Sequence, residues 1–115
     1  IISSIKIVKK SLKDDEMPLL YSIANVFILP SLGEGWGRPH CEAMSMGLPI
    51  ITTNWSGPTE YIKHMDNGLL IDIDGLQEIK NGSFSGHKWA NPNITHMQQL
   101  MRYSYENKQT IKQNI

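Results

Sequence analysis

Glu34 and Glu42 are separated by seven residues in GEGWGRPHCE (33–42), a stretch that sets Gly33, Gly35 and Gly37 around Trp36 and then runs into Pro39. Carboxylates are good acceptors for pairs of sugar hydroxyls. Glycines let backbone N–H groups approach a ligand closely, and the first turn of a helix presents unpaired N–H groups with partial positive charge. Such a backbone attracts phosphate. Carboxylates beside it repel phosphate, so they serve a different group. A phosphate-seeking backbone flanked by hydroxyl-seeking carboxylates is what a nucleotide-sugar needs.

Other glycine-rich motifs do not fit. A GxGxxG fingerprint beginning at Gly33 meets Arg38 where its last glycine belongs, and one beginning at Gly35 meets His40. The next apolar run, IITTN, ends without the acidic residue that would hold a dinucleotide's ribose. No Gly-Lys-Ser/Thr follows, which removes a P-loop. His40 and Cys41 are adjacent, while His64, His87 and His96 are scattered, so no metal-ligand spacing is present. Adjacent helix residues point in different directions, which argues against a Cys–His nucleophile. Cys41 and the methionines at 44, 46, 97 and 101 read as core. Trp36 is divided evenly between packing anchor and ligand contact. Asn54, Trp55 and Glu60, in the NWSGPTE turn, read as turn and cap chemistry before ligand contact.

The elements that position the opening stretch follow from periodicity. IKIV (5–8) and VFIL (26–29) are short apolar runs, LPIITT (48–53) and GLLIDI (68–73) two more, all with the look of buried strands. Between them, helices are expected over about 15–25, with Met17, Leu20, Tyr21 and Ala24 as the inner face, over 39–46, and over TEYIKHM (59–65). Pro39 suits the first turn of its helix and Gly47 the position just past its end. Residues 74–92 show little periodicity and read as mainly loop. Asn93 is an N-cap candidate for a last helix, 93–112, with Met97, Leu100, Met101 and Tyr105 as its apolar stripe. Alternating strands and helices predict an α/β, Rossmann-like parallel sheet with helices on both faces. The glycine loop then lies after a strand's C-terminal end and before a helix, the edge where open α/β sheets bind ligands.

The chain has 115 residues, 40% of them apolar, and eleven basic residues against eleven acidic ones. That suffices for one modest domain and gives no bulk charge to favour nucleic acid or an anionic membrane. A single cysteine forms no internal disulfide and points to a reducing compartment. No apolar run approaches the roughly 18 residues of a membrane span. The expected location is cytoplasmic, free or peripheral to a membrane.

Leu20–Tyr21, ANVFILPS (24–31), GEGWGRPHCEAMSMGLPII (33–51) and NGLLI (67–71) resemble the C-terminal nucleotide-binding domain of GT-B-fold glycosyltransferases, specifically the large retaining family 4. Its hallmark, Glu, seven residues, Glu, falls on Glu34 and Glu42. The tail GHKWANPNITHMQQLMRYSYEN (86–107) is similar to the closing segment of a subset of these enzymes. The resemblance implies that Glu34 contacts the transferred sugar at the catalytic centre, that the amides of Gly35, Trp36 and Gly37 face sugar and diphosphate, and that Glu42 holds the ribose. Pro39 opens the helix directed at the diphosphate, and the base would lie near Lys10 to Leu12.

The same resemblance implies a nucleoside-diphosphate sugar donor, an acceptor, retention of configuration, and neither metal nor other cofactor. The family's arginine–lysine pair for the diphosphate has no counterpart here. Arg38 stands where the family more often has an apolar residue, and is read either as a local positive charge at the donor or as a solvated side chain. The chain is therefore expected to be one partial domain (1–73 binding core, 74–92 loop-rich, 93–112 helix) of a longer enzyme whose N-terminal domain partners it, and to be inactive alone. The rival reading is a non-catalytic nucleotide-sugar-binding module or regulatory fragment of the same fold. The base, the sugar, the acceptor and the oligomeric state are not written in these residues.

Overall fold

Every residue of IITT is buried, because Ile50–Thr53 (β2) is the middle strand of a three-stranded parallel sheet. In the computed structural model, which describes residues 4–83 and 85–108, β2 is flanked by Phe27–Leu29 (β1) and Leu69–Ile71 (β3), in register Ile28 to Ile51 and Thr52 to Leu70. The two-residue alternation of strands sorts the side chains. Ile50 and Leu70 pack on one face with Tyr21, Ala43, Leu48 and Ile62, and Ile51, Leu69 and Ile71 on the other with Leu100. Helices Met17–Ser22 (α1) and Arg38–Ser45 (α2) cover the first face, and Ile94–Glu106 (α3) covers the second. The fold is α/β, a Rossmann-like parallel sheet with helices on both faces, as expected.

Local chemistry sets the ends of the helices. Gly37, with φ +93°, is the N-cap of α2, so Arg38 takes the first helical position and Pro39 the second, one later than expected. At the other end Leu48 N–H bonds Ala43 O and Gly47 N–H bonds Met44 O, with Gly47 at φ +77°. That is the Schellman arrangement, and Leu48 and Ala43 share the core below it. Asn93 caps α3 as expected, its Oδ1 accepting from His96 N–H at 2.7 Å.

Three expectations of secondary structure are corrected. Residues 5–8 form no strand: Ile5, Ile7 and Val8 are exposed, and among the described residues no strand pairs with the outer edge of β1. A short β-branched run becomes a strand only where an edge receives it, which periodicity does not reveal. Residues 74–92 are not mainly loop. Ile73–Glu78 (β4) pairs antiparallel with Lys88–Pro92 (β5), and only 79–87 lies outside the two strands. The helix expected over 59–65 is a single 3-10 turn, Gly57–Glu60.

The inner faces also differ. On α1, Tyr21 is buried and Met17 partly so, while Leu20 and Ala24 are exposed. On α3, Leu100 and Ser104 are buried with Met97 and Tyr103 against the core, and Met101 and Tyr105 face out. Met46 is exposed too, and Cys41 half-buried rather than core. The end expected for α3, at 112, lies outside the described residues.

Candidate functional site

In a parallel sheet the loops that leave β1, β2 and β3 emerge at one edge, and this brings 30–37 beside 54–60. The contact is close. Ser56 Oγ donates to Glu34 O at 2.5 Å and accepts from Glu34 N–H at 3.3 Å, while Gly57 N–H donates to the same carbonyl at 2.9 Å. A Cβ on Gly57 would stand 2.6 Å from Gly35 C and 2.7 Å from Trp36 Cα, so only glycine allows the two backbones this approach. Below the loop, Tyr61 donates its hydroxyl proton to Trp36 O (2.7 Å), with Gly37 O at 3.1 Å, and its ring lies 4.9 Å from the Trp36 indole. Burial, with smaller contributions from Cys41 and from the Glu34 charge, raises the Tyr61 hydroxyl above its ordinary value, so it remains a donor at neutral pH.

Beneath the start of α2 lies His40, fully buried. Thr52 Oγ1 donates to Leu29 O at 2.9 Å, which leaves its lone pairs for His40 Nε2–H at 2.8 Å. Nδ1 is buried against the Gly37 backbone. Burial lowers the basicity of the imidazole, and the Glu34 carboxylate partly opposes this. His40 is thus a neutral strut joining α2 to the ends of β1 and β2.

Glu42 faces another direction. It is four residues after Arg38 on α2, and both line a cavity of about 260 Å³ with Tyr21, Asp14 and Met17. Tyr21 O–H donates to Glu42 Oε2 at 3.1 Å; burial first and this carboxylate second raise the phenol above its ordinary value. Arg38 is solvent-exposed. Glu34 and Glu42 therefore bracket the glycine loop and the N-terminus of α2, one held at its backbone by the 54–60 loop, the other at its carboxylate by α1.

Trp36 packs on Tyr61, as a packing anchor would, and is 53% exposed. The β4–β5 hairpin reaches the same loop, with Ala90 N–H on Leu32 O at 2.9 Å and the Trp89 indole against Gly33. Asn54 and Glu60 are exposed, and Trp55 half-buried. Among the described residues no His, Cys, Asp and Glu side chains cluster to hold a metal ion, and no helix is long and apolar enough to cross a membrane.

Residues 5–82 match the family model of glycosyl transferases group 1. The chain belongs to that family. Its relatives include sucrose-phosphate synthase 4 of Arabidopsis thaliana, 34% identical over 101 residues that cover 81% of this chain and 10% of that protein. O-antigen chain mannosyltransferase B of Escherichia coli is 32% identical over 98 residues, 82% of this chain and 25% of its own length. A sucrose synthase of Melioribacter roseus is 38% identical over 80 residues, 66% of this chain and 10% of that enzyme. The chain thus spans between a tenth and a quarter of the length of these relatives.

Family membership agrees with the glycosyltransferase part of the resemblance carried by 20–71, and glycosyltransferases are among the relatives. Sequence reasoning missed Ser56, Tyr61, His40 and the Tyr21 hydroxyl. The one available signal was NWSGP itself, a second glycine turn after a strand end. Tyr21 was legible as a core position but not as a donor, because the spacing of a helix face does not say which carboxylate its hydroxyl meets.

Proposed function

We infer that this chain is the donor-binding part of a retaining, family 4-like glycosyltransferase, the C-terminal domain of a GT-B enzyme that moves a sugar from a nucleoside diphosphate to an acceptor. The observation that carries the reading is the pair of carboxylates bracketing a glycine loop and a helix N-terminus at the ligand-binding edge of a parallel sheet. In this reading Glu34 meets hydroxyls of the transferred sugar, Glu42 the ribose, and the N–H groups of the 35–38 turn the diphosphate. Arg38, exposed at the mouth of the Glu42 cavity, adds positive charge there. Charge that develops on the leaving diphosphate is met by N–H groups already fixed in place, which is how a rigid backbone lowers a barrier. A metal or other cofactor has no assigned part. The acceptor and the closure of the cleft belong to an N-terminal domain, and the protein is cytoplasmic.

The test is calorimetric titration of the full-length protein with UDP, GDP and ADP, repeated on Glu42→Gln. One nucleotide is expected to bind, and the substitution to weaken it by about 1.5–3 kcal/mol, the worth of a hydrogen bond to a charged group. Equal affinity in the variant removes Glu42 from the site. No binding of any nucleotide removes the reading.

A further inference from the structure

We propose that Ser56 and Tyr61 are positioning residues that aim the N–H groups of Gly35, Gly37 and Arg38 at the diphosphate of the donor; this rests on the donor-binding reading above. A trans peptide is planar, with its C=O and the following N–H pointing in opposite directions, and the described residues contain no cis bond. Fixing a carbonyl on one side therefore fixes an amide on the other. Glu34 O is held by Ser56 Oγ and Gly57 N–H, which turns Gly35 N–H away from the 54–60 loop. Trp36 O takes the Tyr61 hydroxyl proton, and Gly37 O, 3.1 Å from the same oxygen, accepts from Cys41 N–H at 3.1 Å, so Gly37 N–H and Arg38 N–H are turned the opposite way.

Among the described residues none of these three N–H groups meets a protein acceptor, whereas the three carbonyls paired with them all have donors. Gly35 and Arg38 are exposed, while Gly37 is buried at the turn into α2. The loop is thus saturated on its inner side and vacant on its outer side, the arrangement an anion requires. Ser56 carries a backbone cost for its part. Its φ +70° and ψ −153° fall in a region that almost only glycine enters, yet the position holds the one side chain that bonds Glu34 at both N–H and C=O. A loop built only for stability would have glycine there.

That strain supplies a discriminating variant. Ser56→Gly relieves the backbone while removing the hydroxyl, and Tyr61→Phe removes one oxygen while keeping the ring. The experiment measures, in the full-length protein, the dissociation constants of the nucleoside diphosphate that binds and of its parent nucleoside, with melting temperature alongside. Each variant is expected to weaken the diphosphate about tenfold and to leave the nucleoside within about twofold, since only the phosphates meet the aimed amides. Ser56→Gly is expected to melt no lower than wild type. Equal loss for nucleoside and diphosphate, with a lower melting temperature in both variants, would mean ordinary structural support and overturns the proposal. Unchanged diphosphate affinity overturns it as well. If wild type binds no nucleoside diphosphate, the donor-binding reading fails and the positioning role with it.

Discussion

Two glycine-rich loops of this chain behave in opposite ways. The loop 33–37 is pinned on its inner side by Ser56, Gly57 and Tyr61 and rests on His40 at its far end. The loop 79–87, at the tip of the β4–β5 hairpin, closes on itself, with Gly86 N–H on Ile79 O and Ser85 N–H on Gly82 O. A Cβ on Gly37 would stand 2.7 Å from both His40 Nδ1 and Tyr61 O–H, whereas around Gly82 and Gly86 there is open space. All three have φ near +90°. A left-handed glycine is therefore present in both places, and what separates a candidate site from a turn is the packing of a second loop beneath it.

The sharpest break of this comparison is Gly57→Ala. The added methyl meets the Gly35 and Trp36 backbone, which cannot rotate aside as a side chain would. The expected outcome is a loss of about 3 kcal/mol in a denaturant melt, together with donor binding. Stability and binding both equal to wild type would mean that the 54–60 loop does not hold the glycine loop. In the open loop, Gly82→Ala strains only its own φ of +89°. A loss of about 1 kcal/mol is expected, with nucleotide affinity untouched; a drop in affinity would make the hairpin tip part of the site.

Acid is the gentlest probe. His40, under the clamped loop, is less basic folded than unfolded, where its ordinary value is 6.5. Above that pH both states are neutral at this residue. Below it the unfolded chain takes up the proton first, so the stability present above about pH 6.5 is lost as pH falls toward the folded value. Melting temperatures from pH 7.5 down to 5 should decline, and His40→Gln should flatten the slope. A parallel slope in the variant would assign the decline to other groups.

Much of this was legible from residue order. VFIL, LPIITT and GLLIDI each hold a strand of the parallel sheet, Phe27–Leu29, Ile50–Thr53 and Leu69–Ile71, because contiguous apolar runs survive only where both faces are covered. The last ends at Ile71, and Ile73 opens a strand of the second sheet. Gly47 and Asn93 end and begin helices through their own backbone and side-chain chemistry. The Glu34–Glu42 spacing alone brackets a helix start, whatever else packs nearby. Where expectation failed, the missing term was a distant partner. The hairpin strands in 74–92 are mostly exposed, and β5 is tied to Leu32 by Ala90 N–H. IKIV has the right composition for a strand but no edge that receives it among the described residues.

The division has one physical cause. Helix caps, turn glycines, strand runs and the carboxylate pair depend on interactions over a few residues, and a reader of the sequence sees both members. The grip of Ser56 on Glu34, of Tyr61 on Trp36 and Gly37, of Tyr21 on Glu42 and of His40 on Thr52 spans 12 to 25 residues. Those pairs exist only because parallel strands deliver their loops to a common edge, and hydrogen bonding at that range is decided by tertiary geometry.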